Sequence, residues 1–281
     1  MNGSFYGWYL KCQSKTQTLA VIPAVHKTGQ QRTCSVQIIT DNNAWTIPFD
    51  ADAFHRTKEK IIIGENHFGE DGIQLSIDVP KIRVKGCLDF GPLFPLKYDI
   101  MGPFSVVPFM ECRHSVWSMY HSVHGRIDIN GLQYTFQDAW GYWEGDRGRS
   151  FPKEYIWTQC CFPEGSLMLS VADIPIAGIH FTGIIGVVLY RAREYRIATY
   201  LGAKAVRIQE GSVRVIQRKL ELEARLLEAA GRPLKAPTNG NMVRIIHESA
   251  ACRASYRFRI DGHTIFEFET DRASFEYEYP F

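Results

Sequence analysis

Three turn signals, Asn130-Gly131, Glu210-Gly211 and Asp261-Gly262, each sit at the centre of a run in which apolar and polar residues alternate. Glycine after a short polar residue accepts the positive φ values that tight hairpins need. Alternation with period two gives a strand one face for a core and one for solvent. The same pattern recurs along the chain. Residues 6–11, 18–24, 34–40, 73–79 and 82–87 read as strands, and Asp41-Asn42-Asn43 supplies another turn before residues 44–48. Phe275, Tyr277 and Tyr279 close the chain in alternation. Helix signal is confined to residues 219–230, KLELEARLLEAA, with Gly231 and Pro233 as a stop. Even there Leu220, Leu222 and Ala224 are spaced by two, and the first half is read as strand. Many strands, many turns and little helix predict an all-β chain built of antiparallel barrels or sandwiches.

At 281 residues, 45% of them hydrophobic, the chain is long enough for two β domains with real cores. Residues 88–108 are rich in proline and glycine and lose all periodicity, so they read as a linker or a long crossing loop. The expected domains are therefore residues 1–115 and 116–281. With 32 basic and 30 acidic residues the net charge is +2, which gives no electrostatic case for nucleic acid or an anionic membrane surface. The longest apolar run, residues 174–189, is interrupted by Pro175, His180 and several glycines and is too short to span a bilayer. Seven cysteines at irregular spacing, with no CxxC pair, read as reduced thiols. Residues 1–11 do not read as a secretory leader, so the expected setting is cytoplasmic.

Chemistry concentrates in residues 134–159, YTFQDAWGYWEGDRGRSFPKEYIWTQ. Asp138, Glu144, Asp146 and Glu154 stand there among Trp140, Tyr142, Trp143, Phe151, Tyr155 and Trp157. An apolar wall disfavours an ionised carboxyl and can keep it protonated for acid catalysis, and aromatic faces can shelter a cation. Other chemistries lack a signature. No GxSxG elbow and no GxxxxGK[ST] loop occurs. His114, His121 and His124 do not form a zinc-ligand spacing, so no metal and no cofactor is expected. What remains is acid–base work by carboxylates, or no chemistry.

The same stretch resembles the tocopherol cyclase family. Tyr134, Phe136, Asp138 and Ala139 match its FxFxDA stretch, followed by the acidic turn with Glu144 and Gly148 and then Phe151, Pro152, Trp157 and Gln159. Residues 5–11, FYGWYLK, resemble the family's GWYxK opening. Residues 220–238 resemble its late LEAR…PLRAPT block, and Ala251-Cys252-Arg253 its ACR triplet. One departure is Arg147-Gly148 where the family pattern has Trp-Gly, which bears on the substrate more than on the fold.

The resemblance implies two lipocalin-like β domains and an apolar cavity for a hydrophobic small molecule, a prenyl lipid. It implies a cofactor-free isomerisation: an acid protonates a prenyl alkene, and the neighbouring phenol oxygen captures the tertiary cation to form a chromanol. On that reading Asp138 or Glu144 is the proton donor; otherwise Asp138 caps a turn and Glu144 is a solvated charge. Asp146, beside Arg147, is read first as half of a structural ion pair and second as a catalytic acid. Trp8, Tyr142, Trp143 and Trp157 would line the cavity, and Tyr6 and Gln159 would hold the phenol. Two alternatives stand beside this: a carrier that binds an apolar ligand unchanged, and an alkene hydratase in which water captures the cation.

Overall fold

A computed structural model describes residues 3–108, 110–176, 179–228 and 232–279. Its regular structure is almost entirely antiparallel strand, with three single-turn 3-10 segments among the described residues. Two compact units emerge. The first comprises Met1–Leu96, His114–Ser150 and Lys235–Arg244; the second comprises Lys97–Arg113, Phe151–Leu234 and Ile245–Phe281. The chain thus leaves the first unit inside the proline- and glycine-rich segment and returns at His114. This differs from the expected cut at 115/116, because residues 116–150 belong with the N-terminal strands.

The first unit is a sequential meander. Its strands are β1 (Ser4–Gln13), β2 (Thr18–Thr28), β3 (Gln31–Thr40), β4 (Ala44–Phe49), β5 (Phe54–Arg56), β6 (Lys60–Ile63), β7 (Asn66–Gly69), β8 (Gly72–Val79), β9 (Ile82–Phe90), β10 (Cys112–Ile129) and β11 (Leu132–Gly148). Hydrogen-bonded order runs β4-β3-β2-β1-β11-β10-β9-β8-β7-β6-β5. First and last strands therefore pair, Trp8 opposite Gly145 and Leu10 opposite Trp143. The edges β4 and β5 are consecutive in sequence. Eleven flat strands would span about 50 Å, whereas the five steps from Phe49 to Phe54 reach at most about 18 Å. The sheet must curl until its edges approach, leaving a seam in place of the last hydrogen-bonded pairing.

The second unit repeats the plan with β12 (Tyr155–Phe162), β13 (Gly165–Ile176), β14 (Ile179–Tyr190), β15 (Arg193–Ala198), β16 (Lys204–Gln209), β17 (Ser212–Gln217), β18 (Leu220–Leu226), β19 (Arg232–Thr238), β20 (Asn241–Ile260) and β21 (His263–Tyr277). Its order is β15-β14-β13-β12-β21-β20-β18-β17-β16, with β19 paired to β20 off this path; residues 235–244, at the turn between β19 and β20, are counted with the first unit. Again the first and last strands pair, and again the seam follows the fourth strand. The ambiguous segment 219–230 is strand over Leu220–Leu226. Ala229 and Ala230 lie outside the described residues.

Each meander has its own core. In the first, Trp8, Leu10, Trp143 and Phe136 pack with Ile38, Ile61, Phe68 and Val123. In the second, Ile156, Leu169, Val215, Phe258 and Phe275 do so. Burying each such side chain is worth roughly 1.5–3 kcal/mol, so these interiors, more than the strand edges, hold the curl. All three hairpins read from the sequence form with both central residues at positive φ: Asn130 and Gly131 at 54° and 84°, Glu210 and Gly211 at 50° and 72°, Asp261 and Gly262 at 52° and 79°.

Candidate functional site: a buried acid–imidazole cluster beside an aromatic cleft

Strand β11 carries two phases of alternation. Tyr134 and Phe136 are buried in the first core, and so are Ala139 and Trp143. The inward set changes from even to odd numbers between Phe136 and Ala139. Asp138 lies in that step at φ 50°, the left-handed conformation that lets an extra residue slip into a strand. Beyond it Tyr142, Glu144 and Asp146 all project from the face opposite Trp143. Glu144 is nevertheless only 4% exposed.

On that face β10, the hydrogen-bonded neighbour of β11, brings up His114. Its Nδ1 lies 3.0 Å from Asp146 Oδ1 in a hydrogen bond, and its Nε2 lies 3.0 Å from Glu144 Oε2. The second contact is an ion pair between the ring and the Glu144 carboxylate. Tyr142 donates its hydroxyl to Glu144 Oε2 at 2.5 Å. The four groups form one chain, Tyr142–Glu144–His114–Asp146. Burial alone would push the His114 imidazolium to lose its proton. The facing charges of Glu144 and Asp146, with the Asp146 hydrogen bond, outweigh that and raise its pKa well above the ordinary 6.5. The cluster therefore stores a proton at neutral pH.

The ligating atoms of His114, Glu144 and Asp146 all lie within 4.8 Å of one another, a set able to receive a cation. Yet each imidazole nitrogen faces a carboxylate, the geometry of an imidazolium between two anions; a metal would need one nitrogen lone pair turned to it.

On the inward face the aromatic residues form a stack. Trp8 meets Trp143 edge-on at 4.8 Å, and Trp117 lies nearly parallel to Trp143 at 5.4 Å. Trp8 Nε1 donates to Tyr6 Oη at 2.7 Å. Where this stack reaches the end of the meander, a cleft of about 560 Å³ opens, lined by Tyr6, Ser115, Trp117, Gly145 and Asp146. Arg56, Thr57, Lys58 and Arg147 complete its rim. This cleft carries cations beside its aromatic wall and is not the purely apolar cavity that the resemblance implied. Deeper in, His121 packs on Phe90 with ring centroids 4.4 Å apart, and its Nδ1 meets Ser118 Oγ at 3.0 Å. Burial drops its pKa to about 3, so it is a neutral packing histidine.

The structure thus brings together Glu144, Asp146 and Tyr142 on one face, and Tyr6, Trp8 and Trp143 on the other. Asp138 is exposed and lies about 20 Å along the strand from Glu144. Trp157 and Gln159 are buried on β12 of the second unit, outside the sheet that carries the cluster. The partner found for Asp146 is His114, where the sequence suggested Arg147. His114 and Trp117 were missed as site residues. Their only signal is that β10 runs beside β11, which no spacing within the motif reveals.

Solved structures with the same architecture include CghA bound to Sch210972, 9% identical, with a TM-score of 0.61 over 98% of this chain and 88% of that one. The NE1406 protein of Nitrosomonas europaea, crystallised as a candidate AttH, is also 9% identical, with a TM-score of 0.57 over 100% and 93% of the two chains. At such identities the likeness shows the fold. No curated protein sequence matches the chain. A family model described as tocopherol cyclase-like matches residues 79–277, which include β10, β11 and the late blocks but not the opening FYGWYLK segment. That match spans well over half of the sequence, and the chain belongs to the tocopherol cyclase-like family.

Proposed function

We propose that this protein is a cyclase that closes a ring on an unsaturated, prenyl-type substrate, with a prenylated hydroquinone giving a chromanol as the form of the reaction the family suggests. The observation that carries this reading is the buried Tyr142–Glu144–His114–Asp146 chain, which stands on the face of β11 opposite the tryptophan stack and meets the cleft at Asp146, near the end of the strand. The proton held on His114 Nδ1 is shared toward Asp146 Oδ1. Delivered to the alkene, it produces a tertiary cation. The remaining carboxylate charge and the faces of Tyr6 and Trp117 stabilise that cation. The phenol oxygen then bonds to it, and the phenol proton returns to the carboxylate, so the enzyme ends as it began. Glu144, fixed by Tyr142, holds the imidazolium in place during the transfer.

A second reading, a carrier that binds without converting, draws on the three cations at the cleft, since positive charge opposes a nearby carbocation. All three are exposed, so solvent screens that opposition. Chromatography of a prenylated hydroquinone incubated with the purified protein separates the readings. Conversion by the wild type, and a loss of about 100-fold or more in Asp146→Asn and Glu144→Gln, supports the cyclase. Binding with no conversion supports the carrier. Undiminished rates in both folded variants would remove the cluster from the mechanism.

A further inference from the structure

We infer that the ligand of this cleft carries an acidic head group, a carboxylate or comparable oxyanion, on an apolar unsaturated body. This rests on the reading of the cleft as the substrate site. Arg56, Lys58 and Arg147 all line it. Among the described residues none of the three has a carboxylate partner. The carboxylate in the lining, Asp146, is engaged by His114 at 3.0 Å. A chain whose total excess is +2 has therefore gathered at one concavity three cations that have no carboxylate partner among the described residues.

The cations are also placed for recognition. Arg56 Cζ sits 4.1 Å over the Tyr6 ring. That ring is itself fixed by the 2.7 Å hydrogen bond from Trp8. A guanidinium held over the ring by its Cζ keeps N–H groups available for an oxyanion. Trp117, stacked on Trp143, offers the apolar body a rigid floor. A neutral quinol uses the floor and none of the three charges; an acid uses both.

Farnesoic acid and its methyl ester are suitable probes, because they differ in the head charge alone. Their binding to the wild-type protein is measured by calorimetry at low and high salt, without turnover. The acid is expected to bind about tenfold tighter than the ester at low salt, with the gap narrowing at high salt. In the folded Arg56→Gln/Lys58→Gln/Arg147→Gln triple variant the acid should fall to the affinity of the ester, with ester binding unchanged. Equal binding of acid and ester by the wild type overturns the inference. So does a preference for acid that survives the triple variant, or failure of both probes to bind. A preference for acid without conversion of any prenylated hydroquinone would count against the cyclase and leave this inference standing. Conversion of a neutral quinol with no acid preference would do the reverse.

Discussion

The two meanders share one topology and differ in what they do with buried polar groups. Each closes by pairing its first and last strands, and each buries a tyrosine–glutamate hydrogen bond on the outward face of that closure: Tyr142 with Glu144 in the first, Tyr155 with Glu276 in the second. In the first, the pair continues into His114 and Asp146 and reaches a cleft. The interiors differ as well. Phe162, Tyr256, Phe258, Phe266 and Phe268 fill the second with ring centroids 4.9 to 5.6 Å apart. The first holds a tryptophan stack, a neutral histidine and an opening at one end. The fold supplies a closing strand pair in both units. Chemistry follows from the residue that the neighbouring strand brings beside the buried carboxylate.

The largest effect should come from breaking that contrast. In His114→Ala the carboxylates of Glu144 and Asp146 lose the cation between them, which should cost about 3 kcal/mol. Tyr155→Phe removes one hydroxyl from Glu276 and should cost about 1.5 kcal/mol. Five of the six tryptophans lie in the first unit, so urea unfolding followed by tryptophan fluorescence reports mainly on it, and circular dichroism reports on both. A His114→Ala protein as stable as the wild type would show that the cluster is not held by charge pairing.

Acidity sharpens the comparison within the first unit. The folded pKa of His114 is raised, so its stabilising contribution is full below the ordinary 6.5 and is lost as pH rises through the higher folded value. His26 and His121 behave oppositely. Burial lowers them to about 4 and about 3, so below 6.5 the unfolded chain gains protons that the folded one refuses. Stability should therefore fall as pH drops from 6.5 toward 4, by an amount on the order of 3 kcal/mol for each. Unfolding free energies across pH should show both limbs. His114→Gln should flatten the alkaline one, and His121→Gln the acid one. A wild-type alkaline limb that His114→Gln leaves intact would contradict the pairing.

Much of this architecture is legible in the sequence, because strands and tight turns are local. Period-two alternation marks residues 6–11, 18–24, 34–40 and 73–79, and the three hairpin signals need only their own backbone. The site was half legible. The motif stretch names Glu144, Asp146, Tyr142 and Trp143, but strict alternation would put Phe136, Asp138, Tyr142 and Glu144 on one face. The left-handed step at Asp138 separates them, and one residue of slip exchanges core for solvent along the rest of the strand. His114 was hidden for another reason. It becomes a partner of Glu144 only through the β10–β11 register, a contact between residues 30 apart in the chain.

The smallest effect concerns that step. Asp138 is exposed and left-handed, a conformation that costs most residues about 1 kcal/mol and glycine almost nothing. Asp138→Gly should therefore hold or slightly raise stability, whereas Asp138→Val should lower it by about 1 kcal/mol. Neither change touches the cluster, about 20 Å away, so turnover should stay near the wild-type rate in both. If Asp138→Gly, fully folded, lost conversion as Glu144→Gln is expected to, the donor would lie at the other end of β11. The His114 cluster would then be a structural twin of the Tyr155–Glu276 pair, and the functional difference between the two meanders would have to be sought in the strand step instead.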